Sequence, residues 1–338
     1  MKVAQIAPPW IPVPPVTYGG TELMVAALIE GLQTRQVETV LFAARDSTLK
    51  VPVLGPFARA FWPPDKFSEN LHLAYAFGHL QTEPPAVIHS HLENAAGFWS
   101  VSCPGVPLVI TLHTPLTPIK CEYLQHFSQA YVVAVSAFQG KQLAKHPRLQ
   151  LIPHGLKAED YAFQADKEDF LLFLGRIYPD KGLHTAIRLA QEMGERLVIA
   201  GPVFAPDRTY FEQEIRPHLI GERITYAGAA DFPHKVDLLK RAKALVSPLE
   251  VDEAFGLVML EAMLCGTPVL AYGRGAVPEV VLHEETGFVT HSYAGLRQGL
   301  RQLFRLDPYR CRDFVIQQFS WERMVSAHVD LYRQAMET

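Results

Sequence analysis

Glu253-Ala-Phe-Gly-Leu-Val-Met-Leu-Glu261 runs on into Ala262-Met-Leu-Cys-Gly-Thr-Pro-Val-Leu-Ala271. The first part reads as a helix over Leu257–Leu264 and the last four residues as a buried strand, with Gly266 and Pro268 as punctuation between them. Two carboxylates stand eight residues apart, one just ahead of the helix N-terminus and one inside the helix. The first N–H groups of a helix have no partner within it and sit at the positive end of its dipole, which suits a phosphate. Carboxylates accept hydrogen bonds from hydroxyls. One short segment could therefore hold both the phosphate and the hydroxyls of a single ligand. The same spacing also describes an amphipathic helix with two solvated glutamates.

The strand–helix alternation extends in both directions. Lys2–Ala7, Thr39–Ala44, Val87–Ser90, Leu108–Leu112 and Tyr131–Val135 read as buried strands, with mostly helical segments between them. A second series follows Gly155: strands at Asp169–Gly175, Leu197–Ala200, Ile224–Ala227, Ala244–Ser247 and Pro268–Ala271, helices at Lys181–Met193, Tyr210–Pro217, Phe232–Ala242 and Leu257–Leu264. Such alternation predicts parallel sheets covered by helices on both faces. The polar stretch Lys157–Lys167 reads as a linker, and the end from Ser320 to Met336 as a capped helix.

Composition bounds the rest. The chain has 338 residues, enough for two domains, and with 49% hydrophobic and 20% charged residues it can bury two cores. A net charge of −4 without a long basic run argues against nucleic acid as a partner. The N-terminus lacks a signal-peptide pattern and no apolar run is long enough to span a bilayer, so a cytoplasmic protein is expected. Cys103, Cys121, Cys265 and Cys311 are scattered and read as reduced, buried residues.

Further stretches follow strand ends, where ligands of doubly wound sheets bind. Tyr18-Gly19-Gly20-Thr21-Glu22 opens a helix with adjacent glycines that let a backbone approach a ligand, or simply make a tight turn. It is neither a dinucleotide fingerprint nor a P-loop. The proline-rich Pro8–Pro15 before it reads as an ordered but mobile loop. Arg176 and Lys181 flank a turn at a helix start, the wrong end of the dipole for surface cations. A planar fork and a point charge together can neutralise a diphosphate. His89 and His91 share one face of a strand end, which could be half a metal site. The sequence offers no complement and no Asp-x-Asp, so no metal is expected.

Glu253-x7-Glu261 with Phe255-Gly256-Leu257 inside it, Pro14-Pro15-Val-Thr-Tyr18-Gly19-Gly20-Thr21-Glu22, Ile152-Pro-His154-Gly155, Phe173-Leu-Gly175-Arg176 to Lys181-Gly182, and Gly275-Ala-Val-Pro278-Glu279 with Thr286-Gly287-Phe288 come in one order along the chain. In that order they resemble the retaining family 4 glycosyltransferases over nearly the whole chain. The resemblance implies the GT-B fold: two Rossmann-like parallel α/β domains facing across a cleft. Residues 1–155 with 320–338 would form the acceptor-binding domain, the last helix crossing back to it, and 156–319 the domain that binds the donor.

It implies transfer of a hexose from a nucleoside diphosphate sugar to an acceptor, with retention, an α-linkage and front-face displacement. UDP-glucose is the first candidate donor and GDP-mannose the second. No cofactor is implied. The acceptor, whether sugar, glycolipid or small molecule, is not legible, and peripheral membrane contact fits relatives with lipid-linked acceptors.

By the same resemblance His113, Arg176, Lys181 and Glu253 are the catalytic set. His113 would touch the donor sugar or stabilise the transition state rather than abstract a proton. Gly19, Gly20, Arg176, Lys181, Glu253, Phe255, Gly256, Leu257 and Glu261 would bind the donor: Glu253 its sugar hydroxyls, Glu261 its ribose, the N–H groups of Phe255–Leu257 phosphate or sugar. Tyr18, His91 and Glu93 would serve the acceptor. At His154-Gly155 the glycine is expected to matter more than the histidine. Ala254 departs from the family's frequent Pro, which puts the sugar preference in doubt. A nucleotide-sugar epimerase of the same fold and a non-catalytic nucleotide-sugar-binding protein are the alternatives.

Overall fold

The computed structural model describes residues 1–63, 65–219 and 221–337. The chain divides into two compact units. One comprises Met1–Pro15, Gly19–Gly155 and Trp321–Thr338, the other Val16–Tyr18 and Leu156–Ser320.

The first unit is built on a seven-stranded sheet: β1 (Lys2–Ile6), β2 (Glu38–Phe42), β3 (Val53–Leu54), β4 (Val87–Ser90), β5 (Leu108–Thr111), β6 (Tyr131–Ala134) and β7 (Leu149–Leu151). Their order is β3-β2-β1-β4-β5-β6-β7 and every pairing is parallel. On one face Ala4, Ile6, Phe42, Ile88, Leu108, Ile110 and Val132 pack against Leu73, Phe77 and Trp99 from the helices Lys66–Thr82 and Ala95–Ser102. The opposite face carries Gln5, His89 and Thr111, with Gln5 and His89 paired in register across β1 and β4. The helix Trp321–Met336 belongs to this unit, and Trp321 Nε1 donates to Ala27 O (2.7 Å) in the helix Gly20–Thr34.

The second unit repeats the plan with six strands: β8 (Glu168–Leu174), β9 (Leu197–Ala200), β10 (Ile224–Tyr226), β11 (Ala242–Ser247), β12 (Val269–Tyr272) and β13 (Gly287–Thr290), in the order β10-β9-β8-β11-β12-β13, again parallel. Its core joins Leu171, Phe173, Ile199, Val246 and Leu270 to Ile187, Leu189, Leu296 and Leu300 of flanking helices. In both sheets the strand order reverses beside the first strand of the unit, between β1 and β4 and between β8 and β11. That is the switch point where crossover loops diverge and a ligand crevice opens.

Three departures from the sequence reading have physical causes. The short edge strands β3 and β7 and the strand β13 lack a sustained apolar run. Tyr210–Pro217 is not one helix: α-, π- and 3-10 turns succeed one another over Arg208–Tyr210, Phe211–Ile215 and Arg216–His218, where Pro217 removes an N–H donor. The expected linker is folded into the second unit, with Tyr161 buried and Arg312 donating to the carbonyls of Ala158 and Tyr161 (both 2.8 Å). No helix among the described residues is long and apolar enough to cross a membrane.

Candidate active site

In the second unit the loop after β8 carries Arg176 and Lys181, and the loop after β11 carries Glu253. Glu250 N donates to Asp180 O (2.9 Å), which ties these two loops together at the switch point. A further fastening comes from the loop after β12. Ala276 N donates to Glu253 O (2.9 Å), and Gly275, at φ 60°, lies so close that a Cβ there would stand 2.3 Å from that same oxygen. Only glycine allows this approach.

The result is an ion pair: Lys181 Nζ lies 2.8 Å from Glu253 Oε2. Burial pulls the Lys181 ammonium down, but the charge and hydrogen bond of Glu253 outweigh it, so its pKa stands above the ordinary value. Lys181 precedes the helix Leu183–Met193 rather than lying within it, because Gly182 adopts the left-handed conformation between them.

Arg176 grips Asp207 with both sides of its fork, Nε to Oδ2 at 2.6 Å and Nη2 to Oδ1 at 3.0 Å, while its plane lies over the rings of Tyr178 and Phe204. Glu261, 4% exposed, uses one oxygen twice: Oε1 accepts from Lys235 Nζ (2.5 Å) and from Tyr161 Oη (3.0 Å). Burial and then the Glu261 charge push the Tyr161 phenol well above its ordinary pKa. The helix Leu257–Leu264 begins at Gly256, a left-handed N-cap with no side-chain cap bond, so its first N–H groups are not satisfied by a capping side chain. The Phe255 side chain is buried edge-on against Phe319, so its contribution to a ligand is limited to its backbone.

The first unit is different in kind. His91 Nδ1 lies 2.8 Å from His113 Nε2, and His91 Nε2 lies 2.9 Å from Gln5 Oε1. Gln5 Nε2 donates to Tyr332 Oη (3.1 Å), which lies 2.6 Å from His89 Nδ1, and His89 Nε2 lies 2.8 Å from Thr111 Oγ1. His154 stacks on His113 at 5.1 Å and His328 on His89 at 5.3 Å. Burial keeps all these rings neutral. It pulls His113 down to about 3 and His328 to about 4, and His89, His91 and His154 well below the ordinary value.

His91 was expected at the acceptor. It is 6% exposed and both its ring nitrogens are bonded inside the protein, so it has no donor or acceptor left for a ligand. The His154 ring forms one wall for His113, a contact the sequence reading did not assign to it.

Glu93 accepts from Thr114 Oγ1 (2.7 Å) and pairs with Lys120 (3.0 Å). Gly19 is the N-cap of the helix Gly20–Thr34, at φ 147°, and a Cβ on it would stand 2.7 Å from Glu22 Oε2. Burial lifts the Glu22 carboxyl to about 7, partly offset by a backbone hydrogen bond. Tyr18 sits edge-on to Phe204 at 5.9 Å, both in the second unit. The proline-rich loop is ordered: Pro8, Pro9 and Val13 are buried, Val13 N donates to Ser47 Oγ and Thr48 N to Val13 O, each at 2.9 Å. Among the described residues no group of three or more His, Cys, Asp or Glu is placed to hold a metal ion, the His89–His91 pair included.

Gln5, Tyr332 and His328 were missed, although a glutamine inside Lys2-Val-Ala-Gln-Ile6 and a His–Tyr pair four residues apart on an apolar helix face are visible signals. Asp207, Lys235 and Tyr161 left none, because their partners lie 31, 26 and 100 residues away.

Known proteins give this geometry a context. The family described as Glycosyl transferases group 1 matches residues 159–314, and Glycosyltransferase Family 4 matches residues 18–160. The alpha-maltose-1-phosphate synthase of Mycolicibacterium smegmatis is 25% identical, over 75% of this chain and 80% of that one. The D-inositol 3-phosphate glycosyltransferase of Xylanimonas cellulosilytica is 26% identical, over 94% of this chain and 92% of that one. Among solved structures, AviGT4, a glycosyltransferase involved in avilamycin A biosynthesis, is 25% identical with a TM-score of 0.77, covering 99% of this chain and 98% of that one. With family matches across both units and the fold shared end to end, this chain belongs to the group 1, family 4 glycosyltransferases of GT-B fold.

Proposed function

We propose that this glycosyltransferase moves a hexose from a nucleoside diphosphate sugar to a hydroxylated acceptor, with retention of configuration and without a metal ion. The observation that carries this reading is the Lys181–Glu253 pair at the switch point of the second sheet. It joins a cation for the diphosphate to a carboxylate for sugar hydroxyls, beside a helix N-terminus whose first N–H groups lack a side-chain cap.

An ammonium has three donors and Glu253 takes one, so two can turn to phosphate oxygens. Arg176, held in one plane by Asp207, adds a second positive charge. As the bond from the anomeric carbon to the leaving phosphate breaks, negative charge grows on the diphosphate, and fixed cations stabilise it. The acceptor oxygen bonds to the anomeric carbon on the same face, and its proton passes to an oxygen of the departing phosphate. His113 contacts the sugar as a neutral ring. Glu261, with Oε1 committed to Lys235 and Tyr161, turns Oε2 to the ribose hydroxyls. UDP-glucose is the first donor to test and GDP-mannose the second.

The test is a thermal-shift screen of nucleotide-sugars on the full chain, then acceptor screening with the donor that binds. Release of nucleoside diphosphate only when acceptor is present, an α-linked product, and unchanged turnover in EDTA are expected. A β-linked product ends the retaining reading. Turnover lost on chelation and restored by Mg²⁺ ends the metal-free one. An epimeric nucleotide-sugar formed without acceptor ends transfer itself.

A further inference from the structure

Gln5, His91 and His113 in the first unit form a chain in which each hydrogen has only one place to go. A neutral imidazole has one N–H and one lone pair. Gln5 turns its carbonyl oxygen to His91 Nε2 and its amide nitrogen to Tyr332. His91 must then carry its hydrogen on Nε2, which leaves Nδ1 as a lone pair facing His113 Nε2. His113 must in turn be protonated on Nε2. On the other branch Tyr332 Oη accepts from Gln5, gives its own hydrogen to His89 Nδ1, and His89 Nε2–H meets Thr111 Oγ1. Reversing His91 or His113 alone sets two hydrogens or two lone pairs face to face, whereas His89 lies between two hydroxyls that can each donate or accept. The amide of Gln5 sets the sense of the whole chain, and Gln5 itself is buried on β1, out of reach of solvent.

We propose that Gln5, His91 and Tyr332 are positioning residues for His113, which they hold as the Nε2–H tautomer so that its Nδ1 accepts a hydrogen from a hydroxyl of the ligand. The inference rests on the reading that His113 meets the sugar. His154, stacked nearly parallel on His113 at 16°, fixes the ring plane, and the bond to His91 fixes its rotation. Nδ1 is then an acceptor of set direction, suited to a sugar that presents a hydroxyl there and not to one with hydrogen or a methyl in that place.

The first experiment is nitrogen NMR on the full chain with labelled histidine, His113 being assigned by loss of its signals in His113→Gln. A His113 signal with Nε2 protonated and Nδ1 bare is the expected result. A ring protonated on Nδ1, or an even mixture, overturns the proposal, whatever the kinetics show. The second uses Gln5→Met, which removes both amide contacts, and Gln5→Glu, whose carboxylate can still accept from His91 Nε2. Gln5→Met should lower kcat by about 10-fold, about the worth of one good hydrogen bond, with nucleoside diphosphate affinity within about twofold of the parent. Gln5→Glu should recover most of the loss, which a merely structural role for Gln5 does not predict. Equal losses in both variants overturn the positioning role. If the tautomer is as stated but His113→Ala turns over like the parent, the sugar contact fails, and the positioning inference falls for that separate reason.

Discussion

At the carboxyl ends of β1, β4 and β5 the first unit gathers imidazoles, an amide and a phenol. In the second unit the half-buried cations Arg176, Lys181 and Lys235 each stand against a carboxylate. The difference lies in what each arrangement offers a ligand. A neutral network offers hydrogen bonds of fixed direction and no net field. Paired ions cancel until a dianion arrives, and then the cation can share its donors while its carboxylate turns to hydroxyls. Low local dielectric strengthens both arrangements and penalises any unpaired member. On the proposed reading, the second unit is suited to hold and discharge a diphosphate and the first to orient hydroxyls.

The largest effect that would test this contrast is the loss of Lys181. Removing one fixed group that stabilises transition-state charge costs about 100- to 1000-fold in kcat. Lys181→Ala should lower kcat/KM by that order and weaken binding of the free diphosphate, because the charge it meets exists before reaction and grows during it. His113→Ala should lower turnover while leaving diphosphate affinity unchanged. Titration calorimetry with the diphosphate and steady-state rates on both variants settle the comparison; weakened diphosphate binding in His113→Ala would break it.

Next in size is the acid response of the neutral network. The unfolded chain takes up protons on these rings near 6.5, whereas burial holds His113 to about 3 and His328 to about 4 in the native chain. The native state therefore binds fewer protons below 6.5. The contribution is fully present above that pH and is lost as pH falls toward 4, by about 3 kcal/mol for His328 alone. His328 Nε2 has no hydrogen-bond partner, so the substitution of this ring by Phe gives up a single hydrogen bond, from Nδ1 to Met324 O (2.8 Å), at every pH. His328→Phe keeps a ring against His89 and should flatten urea-unfolding stability between pH 6.5 and 4. An unchanged slope would show that the histidine cluster does not govern the acid limb.

Within the second unit, Glu253 and Glu261 should part company. Losing a hydrogen bond to a charged group costs roughly 1.5–3 kcal/mol, or about 10- to 150-fold. Glu253→Gln should lower kcat more than it weakens binding of the free diphosphate, because its partner is the sugar whose ring distorts. Glu261→Gln should mainly weaken nucleotide binding, since ribose is held alike before and during reaction. Wild-type rates and affinities in both variants would remove this segment from the donor site.

How much of this was legible depended on the range of the interaction. The alternation of apolar runs and amphipathic segments is local, and it placed Val87–Ser90, Leu197–Ala200 and Leu257–Leu264 at their observed bounds. Arg176, Lys181 and Glu253 could be picked out because each follows a strand in a recognisable string, and Glu261 because it stands inside the helix of the same string. Their partners could not. Asp207 and Lys235 are ordinary charged residues until the fold brings the one beside Arg176 from the neighbouring strand's loop and the other beside Glu261 from an adjacent helix. Gln5 and Tyr332, 327 residues apart, meet only because the last helix packs on the sheet. His91 was expected at the acceptor because it stands at a strand end, where ligands of such sheets bind. Burial reversed that assignment by spending both its nitrogens inside.

The smallest effect concerns Glu93 and Lys120, which bring an opposed pair of charges into the first unit and so blur the contrast. Their side chains are 21% and 32% exposed, and the pair shares Thr114 Oγ1. Water screens such a pair, so its worth to folding is well under 1 kcal/mol. Glu93→Gln should therefore leave the urea midpoint nearly unmoved. It also removes a negative charge that, after burial, helps hold the Glu69 carboxyl above its ordinary pKa. The informative readout is KM for the acceptor that the screen identifies. If Glu93 accepts hydrogens from acceptor hydroxyls, KM rises several-fold at unchanged diphosphate affinity, and Lys120→Met, which releases the carboxylate, does not reproduce that rise. If both variants raise KM equally, the pair acts as one unit that shapes its loop, and orientation of hydroxyls in the first unit is left to the imidazoles.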